Sequence, residues 1–275
     1  MAAITEDRRE VRGDSPLVTV SGLTFWYGSK LVLDNVSCHI QEGEFVSVIG
    51  ASGCGKSTLL QLLDGVLRPT HGLVRIGGRP AERRDNTRAM VFQSFALLPW
   101  KTVLANVRLG LDYRRRDLSS KQRNEIARHY LARVGLSDSE HLYPYQLSGG
   151  MQQRVGLARA FAVQPSLLLM DEPFGALDAQ NAEILREEVR ALVKEENRSV
   201  VFVTHNLDEA LQLSDRVLLM RSAPGRIEED ISLTEARSDP DAWRRVHYPA
   251  YRDRLWEFLK REVAAASQLQ GRGRS

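Results

Sequence analysis

A chain of 275 residues, 43% hydrophobic and 27% charged, has globular composition and enough length for one large core, or one core carrying an inserted subdomain. Its 38 basic and 35 acidic residues leave a formal charge of +3, no broad field for nucleic acid, and the two cysteines, Cys38 and Cys54, are too few for a disulfide framework and lack metal-ligand spacing. No run approaches the roughly 18 apolar residues of a membrane-crossing helix, and the charged start, Met1 to Pro16, lacks a secretory apolar stretch, so a cytoplasmic chain is expected.

Residues 1–15 are expected to form a flexible lead-in to a domain spanning 16–232. Short β-branched or aliphatic runs bounded by Gly, Asp or Pro predict strands at Leu17–Val20, Phe45–Ile49, Ala89–Phe92, Leu167–Met170, Val200–Thr204 and Val217–Met220. Several are apolar throughout rather than alternating. That pattern suits central strands of a largely parallel sheet covered by helices on both faces, so the fold class is α/β. From about Thr102 to Ala162 helical signals replace strand signals. Lys121–Val134 sets Ile126, Tyr130, Leu131 and Val134 at helical spacing, and Ser148–Phe161 is glycine-led and then rich in Gln, Arg, Ala and Leu. A helical subdomain, about residues 96–162, is therefore expected inside the α/β core. Residues 233–275 read as a packed C-terminal extension in which Trp243, Tyr251, Leu255 and Phe258 line one helical face. The basic clusters Arg114–Arg116 and Arg244–Arg245 read as solvated surface.

The most informative segment is Gly50-Ala51-Ser52-Gly53-Cys54-Gly55-Lys56-Ser57-Thr58, which follows the apolar run Phe45–Ile49 and precedes a helical pattern, Leu59–Leu63. Strand, loop and helix occur in the order of a phosphate loop. Glycines 50, 53 and 55 let the backbone turn its N–H groups inward without Cβ clashes, forming an anion nest. The helix start directs its amides and positive dipole end at the phosphates, Lys56 reaches the β- and γ-oxygens, and the Ser57 hydroxyl is suited to ligate Mg²⁺. Chance places Gly, Gly, Lys and Ser/Thr at these offsets in roughly one chain in a hundred at average residue frequencies. The strand and helix context makes that explanation weaker still.

A second group of candidates sits at strand ends. Ser166–Met170 runs into Asp171, Glu172 and Pro173, putting two carboxylates at the carboxyl edge of the sheet that bears the phosphate loop. Asp171 is suited to hold Mg²⁺, usually through a water, and Glu172 to polarise an attacking water. Gln93 closes the run Ala89–Phe92 and His205 closes Val200–Thr204. A neutral amide suits sensing of metal and water without added charge, and an imidazole donates to the γ-phosphate and orients water. Each signal is weak alone; the shared edge is what makes them catalytic candidates.

With these motifs in place, Leu147-Ser148-Gly149-Gly150-Met151 makes the chain resemble the ATP-binding cassette (ABC) family over about Leu17 to Ile227. The family signature ends in Gln, where this chain has Met151. The resemblance implies a P-loop NTPase cassette: a RecA-like core with an antiparallel β subdomain and an inserted helical subdomain, binding ATP and Mg²⁺. Ser148-Gly149-Gly150 would start a helix and make a second anion site. One chain cannot fold both sites around one nucleotide, and the resemblance supplies the resolution, a head-to-tail pair of cassettes with ATP sandwiched between them. It further assigns Asp178, in Gly175-Ala-Leu-Asp178, to the subunit interface, and Tyr27, beside Trp26, to stacking on adenine. Cys54 is a small filler of the loop whose thiol offers a point for alkylation.

Family members also act in DNA repair and translation. Repair relatives insert long coiled coils between phosphate loop and signature, whereas Gln93 to Leu147 lacks sustained heptads, and translation relatives carry two cassettes where one set of motifs occurs here. An importer ATPase at the cytoplasmic face of the inner membrane is the reading favoured, with a second ATPase subunit, transmembrane permease subunits and an extracytoplasmic solute-binding protein as partners. Phe95-Ala-Leu-Leu-Pro-Trp100 is read either as the apolar surface that meets the permease or as the anchor of a core turn. Leu98–Val107 and Ala223–Ile227 look like the nitrate/sulfonate/taurine/bicarbonate branch.

Overall fold

The computed structural model describes residues 15–83, 87–175 and 177–272, with the backbone alone over 266–272. The expected flexible lead-in falls, apart from Ser15, outside the described residues. Strands β1 (Val18–Tyr27) and β2 (Lys30–Ile40) pair antiparallel as a hairpin, with Gly28 at φ 56° in its turn. The fully buried β3 (Phe45–Ile49) leads to helix α1 (Lys56–Leu63). β4 (His71–Ile76) and β5 (Arg79–Pro80) complete a four-stranded antiparallel sheet in the order β2-β1-β4-β5. β6 (Arg88–Val91) precedes α2 (Val103–Arg114), α3 (Ser120–Arg133) and α4 (Gly149–Ala162), the inserted helical layer. The chain then alternates through β7 (Leu167–Asp171), α5 (Ala179–Glu195), β8 (Ser199–Thr204), α6 (Leu207–Leu213), β9 (Arg216–Arg221) and β10 (Arg226–Ser232). A short turn, α7 (Pro240–Ala242), and a π-helical turn (Trp243–His247) lead into the long α8 (Tyr248–Arg272).

The second sheet has the order β10-β9-β3-β8-β7-β6 and is parallel except for β10. Its central strands are apolar because both faces are covered. Phe45, Leu168, Met170, Val200 and Phe202 face the helical layer, while Val46, Val48, Leu167, Leu169, Val201 and Val203 face α1 and the antiparallel sheet. The expected α/β architecture is present, and the sequence had not located β2, β4 or β10. Those strands are half exposed and mixed in polarity, and the register of β2 shifts around Asn35 at φ 50°, so they carry little of the apolar signal on which the expectation rested. β6 also begins and ends one residue early, leaving Gln93 two residues beyond its end instead of closing it. The tail packs through Leu255 and Phe258 against Leu207, Ala210 and Leu211 of α6, and Trp243 and Tyr251 border the same cluster. No described helix is long and apolar enough to cross a membrane.

The segment after β6 has no regular structure, yet it is held at fixed points. Asn106, fully buried on α2, accepts from the Leu98 amide at 2.8 Å and donates to the carbonyls of Leu98, Lys101 and Thr102 at 3.0–3.1 Å. Arg159 on α4 donates to the carbonyls of Ala96 and Phe95 at 2.6 and 3.1 Å. These bonds replace the ladder that a loop lacks. Asn106→Ala leaves a buried amide and several carbonyls without partners, and is expected to lower the free energy of unfolding by about 2–3 kcal/mol, read by urea denaturation.

Candidate functional site

The site forms where β3, β8, β7 and β6 end. These four strands are neighbours, all parallel, and their registers align Ile49 with Thr204, Val203 with Asp171, and Met170 with Val91. Whatever follows each strand therefore emerges at one edge. The phosphate loop follows β3, His205 follows β8, Asp171 and Glu172 lie at the end of β7, and Gln93 lies just past β6. A cleft of about 620 Å³ opens there, lined by Tyr27, Ser52, Gly53, Gly55, Lys56, Ser57, Thr58, Gln93, Asp171, Glu172 and His205.

The loop's shape depends on two different uses of glycine. Gly53 and Gly55 adopt φ 79° and 107°, the left-handed region, and Gly55 is the residue from which α1 starts. Gly50 is needed for space, since a Cβ there would lie 2.3 Å from the Met220 carbonyl oxygen and 2.7 Å from Cys54 Sγ. Lys56 is buried, and its ammonium donates to the carbonyls of Gly50 and Ala51 at 2.8 and 3.0 Å. It thus lies at the centre of the loop with its charge facing the ring of backbone groups. Cys54 is also buried, at 1% exposure, and burial raises its thiol pKa, so it is not presented to an alkylating reagent as its position in the loop had suggested.

Next to the loop, burial raises the Asp171 carboxyl above its ordinary value, and a hydrogen bond from Ser57 counters part of that rise. A hydroxyl and a carboxylate side by side are hard oxygen donors, the type Mg²⁺ takes together with phosphate oxygens and water, so these residues fit that ion. Glu172 has φ 45°, unusual for a residue with a side chain, and its N–H donates to the Val203 carbonyl at 2.9 Å. This turn aims its carboxylate between Gln93, whose Nε2 donates to Oε2 at 3.3 Å, and His205, whose Nδ1 lies 2.9 Å from Oε1. Glu172 is held by both neighbours, and the His205 side chain, which lines the cleft, is 67% exposed. The arrangement can grip a polyphosphate on one wall and orient a water on the other.

Not every candidate joins this cleft. Trp26 does not line it, whereas Tyr27 does, and its ring meets Phe25 edge-on at 4.8 Å. Ser148, Gly149 and Gly150 lie elsewhere on the surface. Ser148 caps α4, accepting from the Met151 amide at 3.2 Å, and is exposed with Gly149. Gly150 is confined by Leu177, whose Cδ2 would be 2.9 Å from an added Cβ. Asp178 caps α5, is exposed, and is kept below the usual carboxylate range by hydrogen bonds from the Asn181 side chain and amide. Lys30 and Val32 line the cleft without having been singled out. The signal that locates Lys30 is the register Tyr27 to Lys30 across the hairpin, which only strand pairing supplies. Pro99 and Trp100 do not anchor a core turn, for both are exposed and Trp100 is 71% accessible.

Residues 33–175 match the family described as ABC transporter. The chain is 41% identical over 241 residues to the nitrate import ATP-binding protein of Synechococcus elongatus, covering 86% of this chain and 88% of the relative. It is 46% identical over 197 residues to the bicarbonate transport ATP-binding protein of a Synechocystis species, covering 72% and 70%. Among solved structures, a dimeric ATP-binding cassette in a post-hydrolysis state, bound to ADP and Pi, superposes with a TM-score of 0.71 at 34% identity, over 78% of this chain and 98% of that one. A phosphate loop, a strand-end acid pair and a signature helix on this fold, matched over more than half of the chain, establish that it belongs to the ABC transporter family as an ATP-binding, ATP-hydrolysing subunit.

Proposed function

We propose that two copies of this chain close head to tail around ATP and Mg²⁺, and that the cycle of closure and hydrolysis drives an importer for nitrate, bicarbonate, taurine, a sulfonate or a similar small solute. The observation that carries the catalytic part is the Glu172 carboxylate, held between Gln93 and His205 in the cleft that Lys56 also lines. Lys56 and the amides of residues 50–58 bind the β- and γ-phosphates, and Tyr27 stacks on adenine. Ser57, Asp171 and Gln93 hold Mg²⁺, which neutralises charge on the phosphate oxygens when bound. Glu172 accepts a hydrogen bond from the attacking water and aligns its oxygen with the γ-phosphorus. With Nδ1 turned to Glu172, Nε2 of His205 donates to a γ-oxygen when both ring nitrogens carry protons. As water attacks, the bond from γ-phosphorus to the bridging oxygen breaks, and ADP and phosphate are the products.

Two surface features support the paired arrangement. Ser148 and Gly149 form an exposed helix start with free N-terminal amides, and exposed Asp178 lies beyond Leu177, which packs against Gly150. The relatives named for nitrate import and bicarbonate transport support the importer branch, and an importer of that branch works with permease subunits and a solute-binding protein from the cytoplasmic face of the inner membrane. Exposed Phe92 and Trp100, on a segment pinned by Asn106 and Arg159, suit contact with the permease.

Glu172→Gln should keep ATP binding while phosphate release falls by at least about a hundredfold. On gel filtration this variant should run as a dimer with ATP and as a monomer without it, and unaltered turnover removes Glu172 from the mechanism. Adding Ser148→Arg should leave ATP binding intact and abolish the ATP-dependent dimer; a persisting dimer contradicts the head-to-tail pairing. Lys56→Ala should weaken ATP binding by roughly tenfold or more in equilibrium titration. A multi-span protein that co-purifies with the chain from gently solubilised membranes is the expected permease.

A further inference from the structure

The C-terminal extension reaches the phosphate loop through an intermediary. Residues 220–226, the end of β9, its connection to β10 and the first residue of β10, lie directly behind the loop. The Met220 carbonyl closes on Gly50, and Gly225 is so near the loop that a Cβ on it would stand 2.1 Å from the Cys54 carbonyl oxygen. These contacts touch the loop at Gly50, whose carbonyl receives Lys56, and at Cys54, two residues before Lys56. Any shift of residues 220–226 therefore moves the backbone that surrounds the phosphates. On one side the segment is tied to β2: the Gly225 amide donates to Val32 at 2.9 Å, the Asp34 amide donates to Gly225 at 3.0 Å, and Arg226 pairs with Asp34.

On the other side it is tied to α8. Glu262, only 8% exposed, accepts at Oε2 from the Ser222 amide at 2.6 Å and from the Ser222 hydroxyl at 3.0 Å. Two bonds converging on a carboxylate are stronger than neutral ones, and burial keeps water from replacing them. The nearness is registered at the loop itself, where the Glu262 charge adds to burial in raising the Cys54 thiol pKa. The same helix is seated further along by Leu255 and Phe258, and at its start Tyr248 and Arg252 donate to Asp208 at 2.7 and 2.9 Å. Asp208 stands three residues after His205, at the beginning of α6. α8 thus spans from the His205 turn to the support of the phosphate loop.

We propose that Glu262 is a positioning residue for the phosphate loop, clamping Ser222 and through it residues 220–226, so that the C-terminal helix sets nucleotide affinity without touching nucleotide. The proposal rests on ATP binding at the Lys56 loop. It separates Glu262 from its neighbours on the same helix: Arg261 and Arg254 pair with Glu228 and Glu229 at the exposed surface, where such pairs contribute little.

The test uses the full-length chain, measuring equilibrium ATP binding, KM and kcat for hydrolysis, and melting temperature. Glu262→Ala is expected to raise Kd and KM by about three- to tenfold while kcat stays within about twofold, because Glu172 and His205 keep their places. Glu262→Gln, which retains an oxygen acceptor for Ser222, should recover most of the affinity, and Arg261→Ala should bind ATP as the parent does. If Glu262→Ala yields too little folded chain, Ser222→Ala removes one of the two hydrogen bonds and should raise Kd by roughly twofold. Unchanged Kd and KM in Glu262→Ala, or in Ser222→Ala where that variant stands in for it, overturn the proposal, as does a lowered melting temperature with normal affinity. Lys56→Ala run in parallel separates the two readings. Weak binding there with normal Glu262→Ala sinks only the clamp, and normal binding in Lys56→Ala sinks the nucleotide site and the clamp together.

Discussion

Four parallel strands in fixed register bring the chemistry of this protein together. β3, β8, β7 and β6 lie side by side, with Ile49 opposite Thr204 and Val203 opposite Asp171. Parallel strands need crossovers, so residues that meet at their ends come from distant stretches of chain: the loop at 50–58, Gln93, the acids at 171 and 172, and His205. The register is held by burial. β3 and β8 are buried at every position, and sliding either by one residue would exchange the set facing the helical layer for the set facing α1.

Backbone strain and close packing refine what the register brings together. Gly50, Gly53 and Gly55 are required for different reasons, one for space against the Met220 carbonyl and two for left-handed torsions. Glu172 accepts a left-handed torsion at some energetic cost, about 1–3 kcal/mol for such conformations, and in return its carboxylate stands between an amide and an imidazole. The site is therefore organised at two levels, coarse alignment by the sheet and fine direction by individual torsions.

The surfaces that face outward are as ordered as the cleft. Ser148 and Asp178 each cap a helix, and Leu177 packs on Gly150, so the signature turn and the loop before α5 are in contact within one subunit. The segment that exposes Trp100 is pinned from below by Asn106 and Arg159, which lets an irregular loop present large apolar side chains at a defined place. The C-terminal helix completes this frame by packing across α6 and bonding to the support of the phosphate loop.

Much of this was legible in the residues alone. The glycine-lysine loop, the acids after an apolar strand and the serine-glycine helix start depend on spacings within short stretches, and local spacing is what a sequence displays. The α/β class followed in the same way from apolar runs that only a doubly covered sheet accommodates. Tertiary structure decided what depends on partners far apart in the chain: that Tyr27 and not Trp26 lines the cleft, that Lys30 joins it across the hairpin, that Trp100 faces outward, and that Cys54 is sealed in. It also decided which residue of the tail matters to the loop, since Glu262 and Ser222 are 40 positions apart and nothing in either neighbourhood marks the pair. Periodicity reports which face of an element is buried, but what it is buried against is settled only when the elements pack.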